Sequence, residues 1–170
     1  RVRSSAASDV YKRQPPSPPP GAAPNQPLVL NVQYTRDLSF EVPGAPEIFI
    51  NLKEQPRVDL SLDVQARPVQ GGSNVYEVSL QIRADAKAGE TACFIAELAY
   101  CGVFTVNVPQ EHLEPVLLVE CPRLLFPFAR NILAEVTRDG GFPPVMLSPI
   151  DFFALWQSRR PAAGQPAGNA

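Results

Sequence analysis

Catalytic side chains are scarce in this chain. Its 170 residues hold one histidine, His112, in a polar stretch where a lone solvated imidazole is the plain reading. General acid–base chemistry therefore lacks its commonest agent. No serine stands in a GxSxG elbow and no glycine loop precedes a Lys-Ser/Thr pair, so hydrolase and nucleotide signatures are missing. The three cysteines, Cys93, Cys101 and Cys121, form an odd set without CxxC spacing, and with one histidine they offer no metal-ligand pattern. No window approaches the ~20 apolar residues of a membrane-spanning helix. The expectation is a protein that is not an enzyme and carries no metal or cofactor. Two of the cysteines lie in apolar strand sequence, where a thiol behaves as a small hydrophobe, which points to a reducing, cytoplasmic compartment.

Proline, by contrast, is abundant. Pro15–Pro27 holds seven prolines in thirteen residues and is expected to be an extended, disordered arm. Before it, Arg1–Gln14 carries four basic residues, one acid and no apolar run, so it is no secretory signal. Its string SSAASDVYKRQ reads as translated sequencing adapter fused to a truncated gene, and the segment is expected to be non-native. Without it the chain keeps 11 basic and 16 acidic residues, a net charge of −5, which argues against nucleic acid as the main partner. The tail from Arg159 to Ala170 is rich in Ala, Pro and Gly and is expected to be disordered.

Between these ends the side-chain period is two. In Leu28–Val42 the even positions are apolar (Leu28, Leu30, Val32, Tyr34, Leu38, Phe40, Val42) and most odd ones polar, among them Asn31, Gln33, Thr35, Asp37, Ser39 and Glu41. Arg57–Arg67 and Asn74–Ala84 repeat the pattern, which is that of a sheet with one buried and one wet face. A fourth strand, Thr91–Val106, is apolar on both faces except at Glu97, as a central strand would be. Pro68–Ser73 and Asp85–Gly89 serve as hairpin turns. Pro43–Pro56 is too long for a hairpin and is expected to cross over, placing the first strand elsewhere in the sheet.

After Pro109 the pattern turns helical. Gln110–Glu120 reads as a short helical connection and Pro122–Asp139 as the main helix, kinked by Pro127 and stopped by Gly140–Gly141. A last helix, Pro149–Ser158, is expected to open on Ser148 with Asp151 completing a capping box, its Phe152, Phe153 and Trp156 forming one stripe. The fold class is α+β: a four-stranded antiparallel sheet with helices on one face. If the crossover sets the first strand beside the fourth, Asp37, Glu41, Ile95 and Glu97 become one acidic patch around an apolar residue. Docking is one reading of that patch and ordinary solvated surface the other. The apolar clusters Ile48–Leu52 and Phe152–Trp156 are likewise core or groove.

The segments YTRDLSFEVPGAP (34–46), VYEVSL (75–80), CGVFTV (101–106), CPRLLFPFAR (121–130) and FPPVMLSPIDFFALW (142–156) resemble the SecB family of bacterial protein-export chaperones. The resemblance spans Val32–Gln157. It implies a cytoplasmic homotetramer, a dimer of dimers in which the helices lie between two eight-stranded sheets, with Ala96, Leu98 and Tyr100 at positions sensitive for assembly. It implies ATP-independent holding of unfolded preproteins in a groove that involves Phe49, Ile50, Leu52, Phe153 and Trp156. It also implies delivery to the motor SecA, docked through Asp37, Glu41, Ile95 and Glu97 against a short, basic, zinc-bearing tail, the zinc belonging to SecA. Two rival readings are a SecB-like chaperone serving a toxin–antitoxin pair and a small-hydrophobe binding protein that uses the crossover pocket.

Overall fold

The computed structural model describes residues 26–160. The segment Arg1–Gln14 and all but the ends of the proline-rich arm and the C-terminal tail lie outside that range. Four strands, β1 (Leu28–Glu41), β2 (Arg57–Pro68), β3 (Val75–Ala88) and β4 (Thr91–Val106), form one antiparallel sheet in the order β1-β4-β3-β2. A four-residue helix, α1 (Ile48–Asn51), lies within the connection from β1 to β2. That connection does cross over, and β1 pairs with β4 along its length. After the sheet come α2 (Gln110–Pro115), a π-helical turn over Val116–Glu120, α3 (Cys121–Asp139) and α4 (Phe152–Arg159).

The inner face of the sheet is buried by these helices. Val78, Leu80, Ile82, Ala84 and Ala86 of β3 and Phe94, Ala96, Leu98, Tyr100 and Phe104 of β4 point inward, against Leu125, Ala129 and Leu133 of α3. Gly102 permits this close approach. A Cβ there would lie 2.7 Å from the Phe104 ring and 2.8 Å from Leu125. At the crossover end, the rings of Phe40, Phe94, Phe142 and Phe49 succeed one another at 5.4, 4.9 and 5.3 Å. Aromatic pairs at these distances add to the area they bury. All three cysteines are buried free thiols, and burial pushes Cys121 up to about 12.

Several local readings of the sequence need correction. The β3–β4 turn is not Asp85–Gly89: β3 runs on to Ala88, and Gly89, at φ +57°, makes the turn with Glu90. Asp85 stays in the strand opposite Ile95, its carboxylate held by Arg83 two residues back. The last helix begins at Phe152, and Asp151 rather than Ser148 is its cap, the carboxylate accepting the Ala154 N–H at 3.0 Å. Ser148, Pro149 and Ile150 stay in the non-helical segment that leads to this cap. Between α2 and α3 the helix widens directly after Pro115, which has no N–H to donate. Pro127, in contrast, lies within the unbroken span of α3.

The larger correction concerns β1. Its pairing with β4 slips twice, so Asn31 and Arg36 have no partner across the ladder. Each slip is a bulge that reverses which face the following residues take. Between the bulges, Val32 and Tyr34 stand opposite Val103 and Cys101 on the open face, and Gln33 and Thr35 turn inward opposite Gly102 and Tyr100. Val32 is accordingly 51% exposed. The second bulge restores the parity, which returns Asp37, Ser39 and Glu41 to the open face.

The reversed Tyr34 completes a polar cluster on that face. Its hydroxyl donates to Glu77, a glutamate only 3% exposed, and Arg67 Nε donates to the other carboxylate oxygen at 2.5 Å. Arg36 lies 3.6 Å from the same carboxylate and donates to Ser79 Oγ at 3.2 Å. The Tyr34 hydrogen bond first, then Arg67, holds the Glu77 carboxyl below its ordinary value against the opposing effect of burial. The same bond and burial push Tyr34 up to about 12. Glu77 thus stabilises the fold fully above the unfolded carboxylate pKa of ~4.3, and this is lost as pH falls through the lower folded value. Tyr34 contributes fully below ~10 and loses its contribution as pH rises from there toward 12. Glu77→Gln should lower stability at pH 7 by about 1–3 kcal/mol and flatten the acid limb of the stability curve, read by urea unfolding between pH 3 and 7. An unchanged acid limb would contradict this role.

Candidate functional site

The ladder registers set the open face out in rows across β1, β4, β3 and β2. One row is Glu41–Ile95–Asp85–Asp59, the next Ser39–Glu97–Arg83–Ser61, and the third Asp37–Ala99–Gln81–Asp63. Asp37, Glu41, Ile95 and Glu97 therefore do share one patch, spread over three adjacent rows of the two strands. The carboxylates are exposed and Ile95 is half-buried between them. Asp37, Asp63, Glu97, Arg83 and Gln81 border a shallow depression of about 400 Å³. Glu97 is diagonal to both Glu41 and Asp37 across the ladder, and diagonal neighbours lie ~7–8 Å apart, a spacing close to that of alternate side chains on an extended basic segment.

Arg83 was not singled out from the sequence, although it sits at the centre of this patch. Its Nε and Nη2 each donate to Asp85 at 2.8 Å, and its Nη1 donates to Glu97. These two carboxylates, Asp85 before Glu97, hold the guanidinium above its ordinary pKa. The alternation already put Arg83 on the odd face of its strand. What was missing was the β3–β4 register that sets it opposite Glu97.

The apolar candidates divide. Phe49 and Ile50 stand out from the crossover, Ile50 at 83% exposure, and Phe49 rests on Phe142. Leu52 packs on the core and lines a cavity beside Ala88 and Thr91. The expected stripe on α4 splits: Phe152 is buried against Phe126 at 5.9 Å, whereas Phe153 and Trp156 pair outward at 5.7 Å. Trp156 lines a separate cavity of about 290 Å³ with Val64, Leu118 and Leu155. Its indole N–H donates to Glu114, and Arg160 lies over its ring. The crossover cavity is bordered by the β3–β4 turn and that of Trp156 by Val64 of β2, and no side chain of one cluster lines the cavity of the other.

Residues not marked in the sequence fill the interval. Leu60 and Leu62 of β2 face a cavity of about 380 Å³ closed by Met146, Leu147 and Ile150, with Leu60 and Met146 strongly exposed. In β2 order, the crossover precedes Leu60–Leu62, and Val64 with Trp156 follows. A discontinuous apolar strip therefore follows the inner margin of β2. Thr137 fixes its wall: the buried hydroxyl donates to Leu133 O at 2.9 Å and accepts the Val145 N–H at 3.0 Å, tying the 142–151 segment to α3. Exposed apolar residues in a loop beside an edge strand could have been found from the mixed apolar composition of 142–151, but their alignment with Leu60 needs the fold.

Ala96, Leu98 and Tyr100 lie on the inner face, buried within the protomer. Tyr100 stacks on Phe128 of α3 at 6.3 Å. Phe128 and Leu124, one turn apart on α3, leave an apolar pair nearly half exposed. His112 sits exposed on α2, 3.9 Å from Glu111.

Comparison with known proteins agrees with this architecture. The family model described as preprotein translocase subunit SecB matches residues 22–163. A protein-export protein SecB from Granulibacter bethesdensis is 63% identical over 89% of this chain and 92% of its own length. Those from Acidiphilium cryptum and Rhodospirillum rubrum are 59% and 55% identical, over 79% and 87% of this chain and 89% and 91% of theirs. Among solved structures, a SecB-like chaperone of Mycobacterium tuberculosis, in complex with an antitoxin peptide, superposes with a TM-score of 0.59. It covers 72% of this chain and 90% of its own, and at 14% identity it shows the shared fold alone. With the sheet order, the crossover and the sequence matches in agreement, the chain belongs to the SecB family of protein-export proteins.

Proposed function

We propose that this SecB-family export chaperone uses two separate surfaces, holding unfolded preproteins along the β2 strip and docking SecA on the open face of the sheet. The observation that carries the docking half is the juxtaposition of Asp37, Glu41 and Glu97 around Ile95 on paired rows of β1 and β4. A basic tail would be steered there by charge and seated on Ile95, with an affinity that falls as salt rises. On the holding side, Phe49, Ile50, Leu52, Phe153 and Trp156, with Leu60 and Met146 between the two clusters, present apolar surface that folding normally hides. Such a surface selects non-native chains without reading their sequence. Holding is passive, needs no nucleotide and forms no covalent intermediate, so the protein is read as a non-enzyme of the cytoplasm. Identities of 55–63% to export proteins favour this reading over a toxin–antitoxin chaperone, which rests on fold likeness alone.

The working form is a homotetramer, a dimer of dimers. Arg159 caps one sheet edge, donating to the Leu62 carbonyl at 2.9 Å, whereas β1 forms the opposite edge. Pairing through β1 would extend the sheet to eight strands. The half-exposed Leu124 and Phe128 of α3 then offer the surface on which two such dimers close. Tyr100 acts through Phe128, and Ala96 and Leu98, beneath the helices, set the height at which α3 rides.

Glu97→Lys should weaken SecA binding more than about tenfold at low salt, with client holding and assembly unchanged; titration calorimetry and light scattering read the two. Loss of assembly in that variant would make Glu97 structural and remove the docking assignment. Phe128→Glu should reduce the light-scattering mass from that of a tetramer to that of a dimer at micromolar concentration. A persistent tetramer would show that α3 is not the closing surface.

A further inference from the structure

The open face carries a cation that the docking function does not require. Arg83 stands directly opposite Glu97 on the neighbouring strand, and its fork closes on Asp85 through two bonds of 2.8 Å. Roughly half of the Arg83 and Glu97 side chains is exposed and a third of Asp85, so solvent screens the triad. The fold does not depend on it either, since β3 and β4 are held by full ladders and by the buried inner face. Among the described residues, Asp37 and Glu41, on the neighbouring rows, form no ion pair like that of Glu97 with Arg83.

We propose that Arg83 is a specificity-determining residue of the docking face, an internal counter-ion that a basic partner must displace from Glu97. The inference rests on the docking reading above and adds to it the setting of affinity. Glu97 accepts from Arg83 in the free protein, so a partner cation gains at Glu97 only the difference between its own bond and the one it replaces. Asp37 and Glu41 carry no such cost and supply the steering. The result is a site that prefers a segment with several correctly spaced cations, which can engage all three acids together, over a single exposed lysine. Arg83 holds Asp85 with two donors and Glu97 with one, so on displacement it swings to Asp85 alone and need not leave the face.

The test is a titration of purified SecA against wild type, Arg83→Gln, Arg83→Lys and Glu97→Gln at 50 and 500 mM salt. Arg83→Gln is expected to bind roughly three- to tenfold more tightly than wild type at low salt and to converge with it at high salt, one unit charge being removed within a Debye length of the contact. Arg83→Lys, which keeps the charge, should stay near wild type. Equal or weaker binding by Arg83→Gln, while Glu97→Gln binds weakly, would overturn the counter-ion role and leave the docking reading standing. Indifference of SecA to Glu97→Gln as well would remove the docking reading itself.

Discussion

The pairing of β1 with β4 is the constraint on which the rest of this structure depends. It joins a segment near the start of the folded region to one some sixty residues later, and it requires the crossover that carries Phe49, Ile50 and Leu52. On the inner face it brings Phe40 onto Phe94 and so closes the aromatic row against Phe142. On the open face it sets Glu41 beside Ile95 and Asp37 one row from Glu97. Both proposed surfaces are thus consequences of a single ladder. A slip of one residue would exchange its faces, burying carboxylates and exposing Phe40.

That ladder contains two bulges, and they act together. One alone would leave half of β1 with its acids turned under the helices. Two restore the parity and leave only Val32–Thr35 reversed, which spends a tyrosine on the open face to bury Glu77. The sheet's wet side is therefore not uniform. One end is a closed network of Tyr34, Arg36, Arg67, Glu77 and Ser79, and the other is a set of exposed acids with Arg83 among them. Closed polar networks rigidify a surface, and open charges can be satisfied by a partner.

Much of this was legible in the residues. Period-two alternation marked the four strands, and the length of Pro43–Pro56 implied the crossover, which in turn put Asp37, Glu41, Ile95 and Glu97 on one face. What alternation cannot carry is register. The bulges at Asn31 and Arg36 leave the one-letter pattern intact while reversing Val32 and Tyr34. The same blindness hid Arg83, whose face was readable but whose neighbours were not. Helix ends failed for a local reason: Ser148 and Asp151 are both good caps by residue type, and only the backbone shows that the helix opens after Asp151. The aromatic stripe of α4 failed because three aromatics on one short helix need not share a surface. Phe152 went into the core, Trp156 stayed half-buried against its edge, and Phe153 stayed exposed.

The division of the molecule into a client strip along β2 and a motor-docking face on β1 and β4 is most directly tested by hydrogen–deuterium exchange. The chain would be measured alone, with an unfolded preprotein and with SecA. Client-induced protection in the crossover and in residues 142–159, with SecA-induced protection confined to β1 and β4, is the expected result. The loop and helix amides should respond most, being the least protected in the free protein. Client and SecA protecting the same segments would contradict the separation, and so would SecA protection that leaves β1 and β4 unchanged.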